Sequence, residues 1–100
     1  MKTHEKKCSQ IYFDDLWEGK RNSEIRNNHC NFQVGDKVVF REVRETSFFQ
    51  KYSKEVIQSE EYTGRAITAK ITHVAKNLHG LKKTSCLLTF EVLSKSNYDA

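Results

Sequence analysis

The sequence predicts an α+β fold that is mainly β, a small barrel of short strands with a helix on its side. Length, periodicity and turn residues predict it. The chain of 100 residues is as long as one domain. An early segment repeats its apolar residues with a helical period, whereas later segments alternate with period two. Proline is absent and four glycines separate these segments, as turn residues do between short strands.

The first predicted element is a helix over residues 9–18. Ser9 is a favourable N-cap, and Gly19 is a favourable terminator because glycine readily adopts positive φ. One face of this helix is apolar, with the spacing i, i+3, i+4, and consists of Phe13, Leu16 and Trp17.

Strands are predicted over residues 23–26, 37–43, 66–72 and 86–93. Ile67, Ala69 and Ile71 share one face of their strand and are expected to point into the core. The same alternation predicts that His73 also faces inward. Phe32, which precedes a glycine turn, is expected in the core as well.

Residues 46–60 are predicted to form an inserted helix, and residues 94–100 a flexible tail. The helical prediction rests on aromatic and branched residues spaced at i, i+4, i+8. Such a helix would either pack on the barrel or present an apolar face to a partner protein. The residues that would form this face are Phe48, Phe49, Tyr52 and Val56.

The charge balance suits a polyanionic partner. There are 17 basic and 13 acidic residues, a net charge of +4. The excess is concentrated between residues 62 and 93, a segment that contains five basic residues and one acidic residue. A basic surface of this kind indicates RNA or a nucleotide as a candidate ligand, although many basic domains bind neither.

Cysteine usage and hydropathy indicate a cytoplasmic protein. Cys8, Cys30 and Cys86 are far apart and form no CxxC pair, and the four histidines add no zinc-like spacing. We therefore expect reduced thiols, no metal and no cofactor. No apolar run approaches the ~18 residues of a membrane span, and the charged N-terminus does not resemble a signal peptide.

Five motifs occur in order along the chain: GKRNSEIR, NFQVGD, VVFREV, EYTGR and AKITHV. This layout closely resembles the small ASCH-type proteins of the PUA-like superfamily, in particular their DUF3850-like bacterial and phage group, over residues 3–93. The resemblance implies a PUA-like pseudo-β-barrel of about five or six strands, with one or two short flanking helices. It also implies a cleft between the helix and the barrel mouth, lined by a G-x-K-x-x-E-x-R pattern. That pattern falls on Gly19, Arg21, Glu24 and Arg26, with arginine in place of the lysine.

The chemistry of these residues suits a binding cleft. Glu24 and Arg26 are two apart on an extended segment, so they share one face. The Arg26 guanidinium could hold a phosphate or a base edge, and the Glu24 carboxylate could accept from an exocyclic amine. The alternative is a Glu–Arg pair that stabilises the barrel mouth. The binding interpretation predicts that Arg26→Ala weakens binding and leaves folding almost intact.

Several other residues are candidates for ligand contacts. Lys20 lies beside the pattern and could reach a phosphate, although it could equally be a solvated turn residue. Tyr62 could stack on a base or cover the barrel end, and Arg65 could contact the ligand or remain solvated. Lys82 and Lys83 form a basic loop suited to a phosphate contact.

Binding is expected rather than catalysis. The resemblance extends to small amidohydrolases that deacylate a modified cytidine with a lysine and a threonine, but Arg21 and Glu24 occupy those positions here. Arginine stays protonated and cannot activate a nucleophile, which disfavours that reaction. A ribonuclease with Glu24 as its catalytic base stays open, as does a protein-interaction role for a phage or mobile-element protein.

Overall fold

The computed structural model describes the backbone of residues 1–50 and 55–97, and the side chains of residues 1–44 and 60–97. Strand β1 (Thr3–Ser9) leads directly into helix α1 (Gln10–Trp17), which is followed by β2 (Ser23–Asn27). A 3-10 helix (Asn28–Cys30) then leads to the long strands β3 (Lys37–Gln50) and β4 (Glu55–Ala75), and β5 (Ser85–Asn97) follows.

The five strands form one curled sheet in the order β1-β3-β4-β5-β2. Strands β1 and β3 are parallel, and the other three pairs are antiparallel. Strands β1 and β2 are therefore the two edges of the sheet. The prediction of a mainly β, α+β fold with a barrel-like sheet is confirmed.

The core lies between the concave face of the sheet and helix α1. Phe13 and Leu16 of the helix are fully buried against it, as the helical spacing predicted. The inward alternation of β4 is also confirmed, and Phe32 belongs to the core. The strands supply the remaining large buried side chains, among them Val38, Phe40, Ile67, Ile71, Leu88 and Phe90.

The turn at Asp36 fixes the start of β1 beside β3. Its carboxylate accepts hydrogen bonds from the Lys2 amide at 3.1 Å and the Gln33 amide at 3.2 Å. It also lies 2.8 Å from Nε2 of His4, and both side chains are buried. The hydrogen bond to His4, followed by those from the two amides, holds the pKa of Asp36 below its ordinary value.

Helix prediction for residues 46–60 is wrong where the backbone is described. Residues 46–50 continue β3 and residues 55–60 belong to β4, paired from Thr46↔Ser59 to Gln50↔Glu55. Both pieces are rich in aromatic and β-branched residues, and each extends a ladder that already exists, which favours the strand. Residues 51–54 lie outside the described residues.

Two further boundaries differ from the predictions. Strand β5 continues to Asn97, so residues 94–97 are not a flexible tail, and residues 98–100 lie outside the described part. Strand β1 was not predicted, because His4 and Cys8 are the only buried residues of a segment that is otherwise polar.

His73 is exposed rather than inward-facing. The ladder between β4 and β5 shifts register between Ile71 and His73, and the inserted residue changes the alternation. After this β-bulge, Val74 packs against the core instead.

The alternation along β3 gives a first test of the fold. We expect Phe40→Ala to lower the free energy of unfolding by about 3–5 kcal/mol, because it removes a fully buried ring. Val39→Ala, at the adjacent position on the other face, should cost no more than about 1.5 kcal/mol. Urea denaturation of both variants measures this, and equal losses would contradict the assigned faces.

Candidate functional site

A glycine turn carries the chain from α1 into the predicted pattern. Gly19 has a φ of +77°, in the left-handed region that favours glycine. Its amide donates to the Leu16 carbonyl at 3.2 Å, and the Arg21 amide donates to the Asp15 carbonyl at 3.2 Å. No atom lies within 4 Å of a Cβ built on Gly19, so the constraint at this position is φ and not space.

The turn brings Arg21, Glu24 and Arg26 together. Arg26 Nε donates to Glu24 Oε2 at 2.5 Å, and Arg21 Nη2 lies 3.5 Å from Glu24 Oε1. Only 10% of the Glu24 side chain is exposed, against about a quarter for each arginine. Each oxygen of the carboxylate therefore faces a guanidinium group. The predicted sharing of one face by Glu24 and Arg26 is confirmed.

Arg26 also connects the two edges of the curled sheet. Its Nη2 donates to the carbonyl of Lys7 in β1 at 2.8 Å. An edge strand has unpaired carbonyls, and this contact satisfies one of them across the seam between β2 and β1. Arg26 thus has a structural role, so Arg26→Ala would disturb the seam as well as any binding.

Arg21 differs from Arg26 in having a donor to spare. Its Nη2 donates to the carbonyl of Tyr12 at 3.1 Å, and its guanidinium lies 5.6 Å from the centre of the Tyr12 ring. Its Nε is buried and has no hydrogen-bond partner among the described residues. A buried donor without a partner is costly, so the described residues do not fully satisfy this guanidinium.

Arg21 and Glu24 border a cleft of about 490 Å³ between α1 and β2, whereas Arg26 does not line it. More than half of the Tyr12 and Ile25 side chains is exposed there. The cleft therefore combines apolar surface with a charged group, as pockets for small aromatic ligands do. Its lining consists of Tyr12, Arg21, Ser23, Glu24, Ile25 and Leu87.

Cys8 lies close to this charged cluster but is chemically quiet. Burial, followed by the negative charge of Glu24, raises the pKa of its thiol to about 11, against the opposing effect of Arg21 and Arg26. At neutral pH the group is a thiol, which is a poor nucleophile. Cys8 therefore acts as a packing residue at this site.

A second charged cluster attaches α1 to the sheet. Arg65 donates from Nε to Glu42 Oε1 at 2.9 Å and from Nη2 to Glu42 Oε2 at 2.5 Å. The same Nη2 lies 2.7 Å from Oδ1 of Asp14 in α1. The Thr63 hydroxyl completes the cluster by donating to Glu42. Only 1% of the Glu42 side chain is exposed. Glu42 is therefore a buried carboxylate in a bidentate ion pair with the Arg65 guanidinium.

The surroundings of Arg65 reinforce its structural role. The guanidinium lies 5.1 Å from the Phe13 ring centre and 5.0 Å from that of Trp17. Burial tends to raise the pKa of Glu42, but the hydrogen bonds from Arg65 and Thr63 outweigh it and hold that pKa below its ordinary value. The same contacts raise the pKa of Arg65. Both groups are therefore charged at neutral pH.

The other predicted ligand residues do not line the cleft. Lys20 pairs with Glu18 at 2.8 Å, and both side chains are more than half exposed. Tyr62 is partly covered by the Arg41 guanidinium, 3.6 Å from its ring centre. Lys82 and Lys83 are exposed in the segment before β5.

The predicted partner-binding residues cannot be placed on a surface. Phe48, Phe49 and Val56 belong to strands, but their side chains lie outside the described part of the chain. Tyr52 lies outside the described residues altogether.

Sequence reasoning missed Tyr12 and the role of Glu42. Tyr12 lies on the exposed side of α1, and its place in the cleft depends on how the helix packs. Glu42 did leave a signal, because it follows Val38 and Phe40 at the same parity and therefore points inward. A charge at an inward position requires a cation nearby, which Arg65 supplies.

Comparison with known proteins places the chain in a family. The family model described as "Domain of unknown function (DUF3850)" matches residues 3–90. The chain belongs to the DUF3850 family. No curated protein matches it. The matched part of this DUF3850 chain contains the whole cleft and both charged clusters.

Across residues 1–50 and 55–97, no helix is long and apolar enough to cross a membrane. Among the side chains of residues 1–44 and 60–97, no three His, Cys, Asp or Glu side chains are grouped so that they could hold a metal ion.

The Glu42–Arg65 pair gives a second test. We expect Glu42→Gln to lower the free energy of unfolding by about 3 kcal/mol, because the mostly buried Arg65 guanidinium then keeps only the more exposed Asp14 as an ionic partner. Glu61→Gln is the control, since Glu61 is exposed on β4, the strand of Arg65, and should change little. Chemical denaturation compares the two, and a small effect of Glu42→Gln would show that the cluster does not hold α1.

The lowered pKa values of Glu42 and Asp36 predict acid sensitivity. A carboxyl group whose pKa is depressed by folding stabilises the native state fully above its ordinary pKa, here 4.5 for Glu42 and 3.8 for Asp36. That stability is lost as the pH falls through the lower, folded-state value. We therefore expect the free energy of unfolding to decrease as the pH is lowered from about 5. Its decrease per pH unit should be smaller in Glu42→Gln than in the parent protein. Denaturation curves from pH 7 to pH 3 measure it, and equal slopes would contradict the contribution of Glu42.

Proposed function

We propose that this DUF3850 protein is an RNA- or nucleotide-binding domain of the ASCH/PUA-like kind, with its ligand in the cleft between α1 and β2. The observation that carries the proposal is the buried Arg21 Nε, which has no hydrogen-bond partner among the described residues and belongs to a guanidinium at the cleft. A phosphate or a base carbonyl supplies the acceptor that this donor lacks.

The cleft residues divide the work of recognition. The exposed Tyr12 ring offers a surface on which a base can stack, and such stacking tolerates different sequences. Ile25 and Leu87 add apolar surface on the side of the sheet. Glu24 pairs with Arg21 and is itself hydrogen-bonded by Arg26. Glu24 and Arg26 therefore act as positioning residues for Arg21 in this proposal.

A longer ligand can reach the basic loop. Lys82 and Lys83 precede the cleft residue Leu87 by no more than five positions, which limits the separation to about 17 Å. A few nucleotides of extended single strand cover that distance. Contacts from these lysines to phosphates would add affinity without base specificity.

Binding is favoured over cleavage. A general base needs a free oxygen within reach of the proton that it removes, and both oxygens of Glu24 face guanidinium groups. Arg21 cannot act as a base either, because its guanidinium stays protonated. The three free cysteines suit a reducing compartment, so we propose a cytoplasmic location.

The direct test compares two arginine–tyrosine pairs of the same protein. Arg21 with Tyr12 borders the cleft, whereas Arg41 with Tyr62 lies elsewhere on the sheet. Binding of a labelled ten-nucleotide single-stranded RNA is measured by fluorescence anisotropy at low and high salt. Unlabelled DNA of the same sequence and mononucleotides serve as competitors.

We expect Arg21→Gln to raise Kd about tenfold, because it removes the charge at the cleft. Arg41→Gln removes the same charge and should raise Kd only about twofold through the loss of general attraction. Equal effects of the two substitutions would indicate non-specific charge attraction. A larger effect of Arg41→Gln would move the site to Tyr62, and absence of RNA and nucleotide binding would overturn the proposal.

A further inference from the structure

Lys6 and Cys30 meet across the seam of the curled sheet. Lys6 belongs to the edge strand β1, and Cys30 ends the 3-10 helix that follows the opposite edge strand β2. The Lys6 Nζ lies 2.9 Å from the Cys30 Sγ, at hydrogen-bond distance. Two side chains with nucleophilic atoms thus come together from distant parts of the sequence, outside the cleft lining.

The surroundings hold the Lys6 amine against the sulfur. Its Nζ lies 5.7 Å from the centre of the Phe32 ring, which is a fixed part of the core. No described carboxylate forms an ion pair with Lys6, whereas neighbouring Lys7 pairs with Glu60 at 2.9 Å. The Cys30 thiol is therefore the hydrogen-bond acceptor that the structure gives to Lys6.

The other two thiols differ from Cys30 in their burial and in the groups beside their sulfur atoms. Cys8 and Cys86 are buried, and burial raises the pKa of each. The Cys8 thiol donates to the Ser9 carbonyl at 3.7 Å. Cys30, by contrast, is partly exposed and has an ammonium group beside its sulfur. Partial exposure therefore leaves the Cys30 sulfur open to an oxidant, whereas burial shields the other two sulfurs.

We propose that Lys6 and Cys30 are a modification site at which peroxide forms a reversible S–O–N crosslink. The Nζ and Sγ atoms are already in contact, so insertion of one oxygen atom between them requires little movement of either strand. The site needs a peroxide small enough to reach a partly exposed sulfur, such as hydrogen peroxide.

The chemistry balances with two molecules of peroxide. The Cys30 sulfur attacks one peroxide oxygen, an S–O bond forms as the O–O bond breaks, and water leaves, which gives the sulfenic acid. The Lys6 ammonium group first releases a proton to water, and the free amine then attacks an oxygen of the second peroxide; an N–O bond forms as the O–O bond breaks, which gives a hydroxylamine and a second water. The hydroxylamine oxygen then attacks the sulfenic sulfur and displaces its hydroxyl group as a third water. Thiol reductants restore the thiol and the amine.

The crosslink would fasten the same seam that Arg26 spans. Lys6 is next to Lys7, whose carbonyl accepts the hydrogen bond from Arg26. A covalent bond between residues 6 and 30 restricts the unfolded chain as a disulfide does, so oxidation should stabilise the fold. Peroxide would then convert a seam held by hydrogen bonds into one that is covalently closed.

The experiment treats the full chain with hydrogen peroxide and follows its intact mass and thermal unfolding. We expect the mass to rise by about 14 Da, from one oxygen gained and two hydrogens lost, and the Tm to rise by at least about 5 °C. Peptide mapping should join the segments that contain Lys6 and Cys30, and dithiothreitol should reverse all three changes.

Matched variants separate the crosslink from ordinary thiol oxidation. Lys6→Arg keeps a cation beside Cys30 but has no amine, so it should yield only oxygen additions of about 16 Da or more, without a rise in Tm. Cys30→Ser should form no crosslink. Lys7→Arg changes the neighbouring lysine and should react as the parent protein does.

Two results would overturn the proposal. One is peroxide treatment that oxidises Cys30 and leaves the Lys6 amine free in the peptide map. The other is a product with the same mass and stability in Lys6→Arg. The test contains no RNA, so its outcome is independent of the proposed ligand.

Discussion

The position of helix α1 depends on one buried carboxylate. Glu42 points into the concave side of the sheet, where a charge without a partner would be very unfavourable. Arg65 neutralises it and at the same time contacts Asp14 and the aromatic rings of the helix. Because Tyr12 lies on this helix, the same cluster sets the width of the cleft. An ion pair outside the cleft lining thus helps to position one wall of the cleft.

Three arginines, all partly buried, have different structural roles. Arg65 holds the helix, and Arg26 closes the seam between the two sheet edges. Arg21 has a buried donor, Nε, that finds no acceptor in the part of the chain that the structure describes. A guanidinium offers five donors in a rigid plane, so a single side chain can serve structure with one edge and a ligand with another. The three arginines look alike in the sequence, and their partners distinguish them.

The sequence predicted the parts of the fold that depend on local pattern. Period-two alternation located the central strands, and the spacing of Phe13, Leu16 and Trp17 located the helix. Strand β1 was not predicted, because it pairs with a parallel strand far along the chain. The local sequence pattern does not indicate such long-range pairing. The helix prediction for residues 46–60 failed for a related reason, since pairing across the β3–β4 hairpin overrides a weak helical spacing.

At the candidate site, too, the contacts that depend on local pattern could be predicted and those that depend on long-range packing could not. Glu24 and Arg26 could be placed on one face from alternation alone, and their contact followed. The approach of Tyr12 to Arg21 depends on the packing of α1, which no local pattern encodes. The parity of Glu42 did indicate a buried charge, but the choice of Arg65 as its partner required the register of β3 and β4.

The strand order has a consequence for how the protein folds. The β3–β4 hairpin joins residues that are close in sequence, whereas Thr3 must find Lys37 and Ser23 must find Thr89. Closing such long loops costs chain entropy before any contact compensates for it, so the hairpin and β5 are expected to assemble first. The cleft combines α1 with β2, the strand whose pairing spans the longest separation. A nascent or partly unfolded chain would therefore possess most of its sheet while it still lacked the cleft.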